Sequence, residues 1–147
     1  MHPPAAIALF CDDIREEQSG VMSVIGIYPD NLRAPSFPLA FPRLGIYVRT
    51  VVDIDYDVQH LETTWNIPGV GEPIYNPLDR TLIEKSIAEA RSKSAPTCTF
   101  ITKITAVSLV VPEPGLMTVK VRLNEMEFLA GILKVGRRVQ AAEDAHP

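Results

Sequence analysis

Carboxylates dominate the side chains that could carry out chemistry, since the chain has 18 Asp and Glu residues but only 3 His and 2 Cys. Asp53, Asp55 and Asp57 recur at a spacing of two, which places all three on one face of an extended chain. Crowded carboxylates repel each other unless a cation neutralises them, so one interpretation of this acidic row is a calcium-type site. It does not fit an EF-hand loop, because Val58 and Thr64 stand where glycine and glutamate are required. The other interpretation is a solvated acidic end of a strand.

A second charged group follows the first apolar segment and contains Asp12, Asp13, Arg15, Glu16 and Glu17. One arginine among four acids can act as a bidentate clamp that fixes the shape of a loop. The same side chains can form a binding surface on that loop, with Asp12, Asp13, Arg15 and Glu17 as its candidate residues. A loop that is charged only for solubility is the third interpretation.

Histidine-based catalysis has little support in the sequence. His2 and His146 lie near the two ends, and His60 falls on the polar face of a predicted strand with no adjacent Ser or Cys. The chain contains none of the motifs G-x-S-x-G, H-E-x-x-H, G-x-x-x-x-G-K-[ST] and C-x-x-C. We expect no cofactor, and the enzyme alternative is a metal-assisted or carboxylate hydrolase that uses Asp12, Asp13 or the acidic row.

Tyr47 and Val51 are the candidate interface residues. They alternate with Ile46 and Val48, so a strand with one buried face would leave them on the opposite face. Together with the apolar residues 21–28, they would form a patch that an isolated domain rarely leaves open. The pattern predicts a protein partner or self-association.

Composition limits the class of partner and the compartment. The formal charge of -4 argues against binding to nucleic acid or anionic membranes. No apolar run is long enough to span a membrane, and the first residues lack the pattern of a secretory signal, so we expect a cytoplasmic protein. Cys11 and Cys98 are expected to be buried thiols, with a disulfide as the alternative.

The elements that position these residues are mainly strands. Alternating or continuous apolar residues predict strands over residues 5–11, 21–28, 44–55, 58–67, 97–111, 116–124 and 127–135. The charged residues 12–20 are expected to form a connection too long for a tight hairpin, with room for one helical turn. Three prolines space out residues 33–43, which predicts an extended crossing between two sheets.

One helix is predicted at about residues 77–94. Asn76 suits the N-cap, Pro77 the first helical position, and Pro96 blocks continuation. Strands with one inserted helix indicate an antiparallel β-sandwich of immunoglobulin-like or Greek-key type, with an open barrel as the alternative. Residues 5–136 are expected to form a single domain, and residues 1–4 and 137–147 flexible ends.

The N-terminal segments resemble a family of small uncharacterised bacterial and phage-associated proteins. The family pattern is C-D-D-x-R-x-E, then a glycine, then S-x-I-G-x-[YF], and Cys11 to Glu17, Gly20 and Ser23 to Tyr28 match it. Val21 departs from the pattern, since family members often have lysine after the glycine. The resemblance implies a compact β-rich domain with no established activity.

Taken together, these features favour a non-enzymatic β-sandwich module that binds a protein partner or itself. Missing catalytic motifs and the apolar second faces of two strands are the basis for this prediction. The hydrolase remains one alternative, and a structural subunit of a larger, phage-like particle is the other.

Overall fold

A computed structural model of the protein describes residues 2–139. Within these residues the chain forms nine strands and one helix. In chain order they are β1 (Ala5–Glu16), β2 (Met22–Ile27), β3 (Asn31–Ala34), β4 (Leu39–Asp53), β5 (Leu61–Asn66), β6 (Ile74–Pro77), α1 (Arg80–Ser92), β7 (Thr97–Val111), β8 (Gly115–Leu123) and β9 (Met126–Arg137).

The strands form two sheets. Sheet A has the order β2-β1-β4-β7, and sheet B has the order β3-β9-β8-β5-β6. All paired strands are antiparallel except β3 and β9, which run parallel. The two sheets pack face to face as a sandwich rather than closing into a barrel, so the predicted β-sandwich with one helix is confirmed.

Alternation along the strands gives each sheet one buried face. In β4, Leu44, Ile46 and Val48 are buried while Arg49 is exposed. In β5 the alternation continues, and Trp65 is fully buried between the sheets. A strand with this period-two pattern can bury only one face, so the predicted inward position of Ile46 and Val48 is confirmed.

The charged connection after the first strand differs from the prediction. β1 continues to Glu16, which lies opposite Met22 of β2, and the turn between them is closed by hydrogen bonds from Glu17 N to Val21 O and from Gly20 N to Glu17 O. The expected long connection with a helical turn was therefore wrong. Cross-strand pairing extends the ladder into a charged segment because those side chains find solvent or partners at the end of the sheet.

The start of the helix also differs from the prediction. Asn76 and Pro77 belong to β6, where they lie opposite Thr63 and Glu62 of β5. The N-cap of α1 is Asp79 instead, and its side chain accepts a hydrogen bond from Thr81 N. An edge of sheet B was available to pair with this segment, and tertiary pairing overrode the local capping signal.

The helix connects the two sheets. It follows β6 at the edge of sheet B and precedes β7 at the edge of sheet A. Ile83 is its buried residue, and Ala90 and Lys93 line a depression together with Cys98 and Thr99 at the start of β7. The helix therefore lies against one end of the β7 edge and leaves the outer face of sheet A uncovered.

The chain crosses between the sheets as predicted, since β3 belongs to sheet B and the following β4 to sheet A. The predicted bounds of 33–43 were too wide, because only residues 35–38 lie between the two strands. At the end of β9, Arg138 N donates to Ala34 O. Met1 and residues 140–147, which include most of the predicted flexible tail, lie outside the described residues. Within residues 2–139, no helix has the length and apolar character needed to cross a bilayer.

Candidate interaction surface

The outer face of sheet A carries exposed apolar side chains. Strand register aligns Ile7 of β1, Arg49 of β4 and Ile101 of β7 in one row across the sheet. Ile7 is 58% exposed and Ile101 is 39% exposed. On the neighbouring β2, Ile25 and Ile27 are exposed on the same face, opposite Asp13 and Cys11. We call this surface, from β2 to β7, the outer face.

The two predicted interface residues lie on the outer face. Tyr47 is aligned with Leu9 and Lys103, and Val51 with Ala5 and Thr99, in the rows on either side of Arg49. Both side chains are half-buried rather than fully exposed, because neighbouring strands cover their flanks. Their role in binding a partner stays a prediction.

In the part of the chain that the structure describes, Arg49 differs from the other cations of the outer face because no acidic side chain pairs with it. Arg15 and Arg43 both pair with Asp13 at 3.1 Å, and Lys103 pairs with Glu16 at 3.2 Å. Arg49 forms no ion pair with any of residues 2–139. It stands exposed between Ile7 and Ile101, so the centre of the face combines apolar contact with an unneutralised charge.

The predicted binding residues of the charged segment are held within the hairpin of β1 and β2. Asp13 accepts hydrogen bonds from Arg15 and Arg43, and the bond from Arg15, more than any other factor, holds the pKa of Asp13 below its usual value. Glu17 accepts a hydrogen bond from Ser23. This geometry is that of a clamp that fixes the strand ends, one of the alternatives raised by the sequence.

Asp12 takes part in a separate contact near the same hairpin. The Tyr28 hydroxyl donates to Asp12 Oδ1 at 2.5 Å. Desolvation, followed by this bond and the charge of Asp12, raises the pKa of Tyr28 to about 12. A side chain at position 26 would collide with Asp12, and Gly26 has a φ of 68°, so only glycine fits opposite this carboxylate.

The two cysteines are free buried thiols. Cys11 lies opposite Gly45 of β4, and Cys98 lies opposite Val52 of the same strand, so they occupy different levels of sheet A. Burial, with the nearby charges of Asp12 and Asp13, raises the pKa of Cys11 to about 11. The expectation of two unpaired thiols is therefore confirmed.

The acidic row is spread over three different environments. β4 ends at Asp53, whereas the sequence predicted a strand as far as residue 55. Asp53 accepts from His2 N, Asp55 lies 3.9 Å from Arg91, and Asp57 accepts from Gln59. Within residues 2–139, no three His, Cys, Asp or Glu side chains are grouped so that they could hold a metal ion.

Sequence reasoning missed one polar network, which is centred on Glu62 of β5. His60 Nε2 lies 2.7 Å from Glu62 Oε2, and the Tyr75 hydroxyl donates to the same oxygen. Arg122 of β8 lies opposite Glu62 in the register. The only sequence signal was the position of Glu62 on the polar face of its strand, since no strand was predicted over residue 75. The network orients the His60 ring and ties β6 to β5.

A depression of about 560 Å³ adjoins this network and is lined by Asp57, Gln59, His60, Arg122, Asn124 and Glu125. Several of these groups already have partners within the chain. Asn124 Oδ1 accepts from the backbone N–H groups of Gln59 and His60, and its amide donates to Asp57 O. Asn124 therefore serves to hold the loop before β5 against the end of β8.

Comparison with known proteins gives a family without a defined activity. A family model described as a family of unknown function (DUF6941) matches residues 6–135. No curated protein and no solved structure matches the chain. The match spans both sheets and the helix, including the outer face.

Proposed function

The chain belongs to the family of unknown function DUF6941, and we propose that it is a non-enzymatic β-sandwich module that binds a protein partner through the outer face of sheet A. The observation that carries this proposal is the row formed by Ile7, Arg49 and Ile101, in which an arginine without an acidic partner among residues 2–139 stands between exposed isoleucines.

The apolar part of the face favours association with another macromolecule. Large exposed apolar patches on soluble proteins mark interaction sites, whereas single exposed apolar side chains do not. The face extends from Ile25 and Ile27 on β2 to Ile101 on β7, and the helix leaves it open. Tyr47 adds an aromatic side chain beside Arg49, and tyrosine and arginine are the residue types most enriched among residues that dominate binding energy.

The charge of Arg49 indicates the chemistry of the partner. An arginine buried in an interface is costly unless a carboxylate meets it with good geometry. The partner surface is therefore apolar with an Asp or Glu side chain opposite Arg49. A second copy docked face to face about this row would bring two Arg49 side chains together, so a different protein fits the face better.

Photo-crosslinking from within the folded protein tests the proposal. A photoreactive amino acid is placed at Ile7 on the outer face and, as a control, at Leu116, which is 55% exposed on sheet B. In cells of the source organism, irradiation should give a discrete covalent adduct from position 7 and none from position 116. The crosslinked partner peptide should contain an acidic residue within an apolar segment.

Variants of Arg49 make the test specific. Arg49→Glu should reduce adduct formation by about 30-fold or more, since truncating or reversing one member of a buried charge pair costs roughly 2–5 kcal/mol. Arg49→Lys should retain most of it. Adducts of equal yield from positions 7 and 116, or an adduct unaffected by Arg49→Glu, would refute the proposal. An adduct between two copies of this chain would assign the outer face to self-association instead.

The structural-subunit alternative is retained within this proposal, because a subunit of a larger particle also needs an open interaction face. A bacterial or phage-associated origin and a cytoplasmic location remain expectations from the sequence. The hydrolase alternative stays a prediction from the sequence, and its candidate carboxylates Asp12, Asp13, Asp53 and Asp57 each accept a hydrogen bond from within the chain.

A further inference from the structure

The second unusual feature of sheet A is its edge at β7. This strand is 15 residues long, and within residues 2–139 it pairs on one side only, with β4. The other edge strands are short: β2 has 6 residues, and β3 and β6 have 4 each. β2 also contains Gly26 at positive φ, and β6 ends at Pro77. Natural proteins protect sheet edges with short strands, prolines and irregular backbone, and residues 97–107 of β7 have none of these features.

β7 has few charged residues that could discourage another strand from pairing with its free edge. Its sequence, TCTFITKITAVSLVV, has one charged residue, Lys103, and no proline or glycine. Lys103 Nζ lies 3.2 Å from Glu16 Oε2 on β1, which is on the far side of β4. The lysine side chain is therefore drawn across the outer face, away from the free edge, where it would otherwise discourage strand addition.

Burial along β7 shows that its middle is incompletely covered. Phe100 and Thr102 face the core and are buried, whereas Ile104 and Ala106, on the same face, are only half-buried. Val107, on the outer face, is 67% exposed. The helix adjoins the start of the strand, where Ala90 and Lys93 line a depression with Cys98 and Thr99. An added strand would cover the inward side chains that sheet B and the helix leave partly open.

We propose that two copies of the chain associate by antiparallel pairing of their β7 edges, which joins the two copies of sheet A into one continuous sheet. A two-fold axis makes such an interface self-complementary, because residue i contacts residue j and j contacts i. The pairing is centred on Ile104, so that Ile104 lies opposite its own copy. This inference goes beyond the proposed function, because the paired copies leave both outer faces open on the same side.

The central register avoids any clash of like charges. Around Ile104, Lys103 lies opposite Thr105 of the second copy, and Ile101 opposite Val107 of the second copy. β-Branched pairs of this kind stabilise antiparallel ladders, and Lys103 never meets its own copy. The regular segment ends at Ser108, whose φ is 55°, so the pairing runs over residues 101–107.

Charge variants at Thr105 test the register. The native mass is measured by light scattering and sedimentation over a hundredfold range of concentration, and the wild-type chain should move from 16.2 kDa towards twice that value. Thr105→Lys places two lysines opposite each other at two symmetric positions and should weaken dimerisation by about 2- to 30-fold. Thr105→Glu places a carboxylate opposite Lys103 and should retain or strengthen it.

Further variants show whether a loss of dimerisation comes from the β7 interface, from a folding defect or from the outer face. The double variant Lys103→Glu with Thr105→Lys should restore dimerisation, and Leu116→Lys on sheet B should leave it unchanged. A monomer at every concentration, or equal weakening by Thr105→Lys and Thr105→Glu, would overturn the inference. Arg49→Glu should leave the dimer intact, so failure of partner binding and failure of edge pairing are distinguishable.

Discussion

At the residue scale, Glu62 shows how a side chain on a polar strand face acquires a structural role. Its side chain is 11% exposed and accepts hydrogen bonds from both His60 and Tyr75. Burial raises the pKa of Glu62, but these hydrogen bonds and the charges of His60 and Arg122 outweigh burial and hold the pKa below its usual value. The ionised form is therefore the form that the folded state favours.

This balance predicts a pH-dependent contribution to stability. A carboxyl whose pKa is lower in the folded than in the unfolded state stabilises the fold above its unfolded pKa, about 4.3 for Glu, and the contribution is lost as the pH falls through the folded value. Glu62→Gln should therefore lower the free energy of unfolding at pH 7, and the difference from wild type should shrink below about pH 4. Urea unfolding at several pH values measures it.

Glu72→Gln is the matched control, since Glu72 is an exposed carboxylate in the loop before β6. It should change the free energy of unfolding little at either pH. A Glu62→Gln deficit that is the same at pH 7 and pH 3 would contradict the prediction, because it would indicate a packing effect rather than an ionised carboxylate.

At the scale of the elements, the start of the helix shows where a local capping signal in the sequence and tertiary strand pairing give different results. Asn76 followed by Pro77 is a good local signal for a helix start, and Asp79 three positions later is a second one. The structure uses Asp79, because residues 74–77 pair with β5. Local capping chemistry predicted that a helix follows, but the first helical residue depended on the partner strand.

Alanine substitution of Asp79 and of Asn76 tests which of the two residues caps the helix. Asp79→Ala removes the acceptor for Thr81 N and should lower the free energy of unfolding by about 1 kcal/mol. Asn76→Ala should lower it by less, within about 0.5 kcal/mol, since residue 76 lies in an edge strand. Thermal and urea unfolding compare the two variants. A larger loss from Asn76→Ala would indicate that the helix begins where the sequence alone placed it.

At the scale of the whole molecule, one buried cluster joins the two sheets and the helix. Trp65 of β5, Leu44 of β4 and Ile83 of α1 are all part of it. Trp65 is fully buried, and its Nε1 has no hydrogen-bond partner among residues 2–139. A core shared in this way couples the unfolding of all elements.

The fluorescence of Trp65, the only tryptophan in the chain, reports on this shared core. Unfolding curves in urea followed by tryptophan fluorescence and by far-UV circular dichroism should superimpose, because loss of the core removes the packing of both sheets. Curves with separate midpoints would show that one sheet survives loss of the core, and would contradict the prediction.

The sequence alone determined the β-sandwich, the inward position of Ile46 and Val48 in β4, and the presence of one helix between strands. These features depend on alternation between neighbouring residues and on local stop signals, which the sequence contains directly. The long strands over residues 97–111, 115–123 and 126–137 were predicted nearly at their observed bounds for the same reason.

Only the tertiary structure decided which distant side chains meet. Strand order and register determine three features of the structure. They are the position of Arg49 between Ile7 and Ile101, the contact of Glu62 with Tyr75, and the tight hairpin after Glu16. A shift of one residue in register would turn each of these side chains to the other face, so no pattern within one segment can fix the contacts. The physical reason is that register is set by the partner strand, and the partner is distant in sequence.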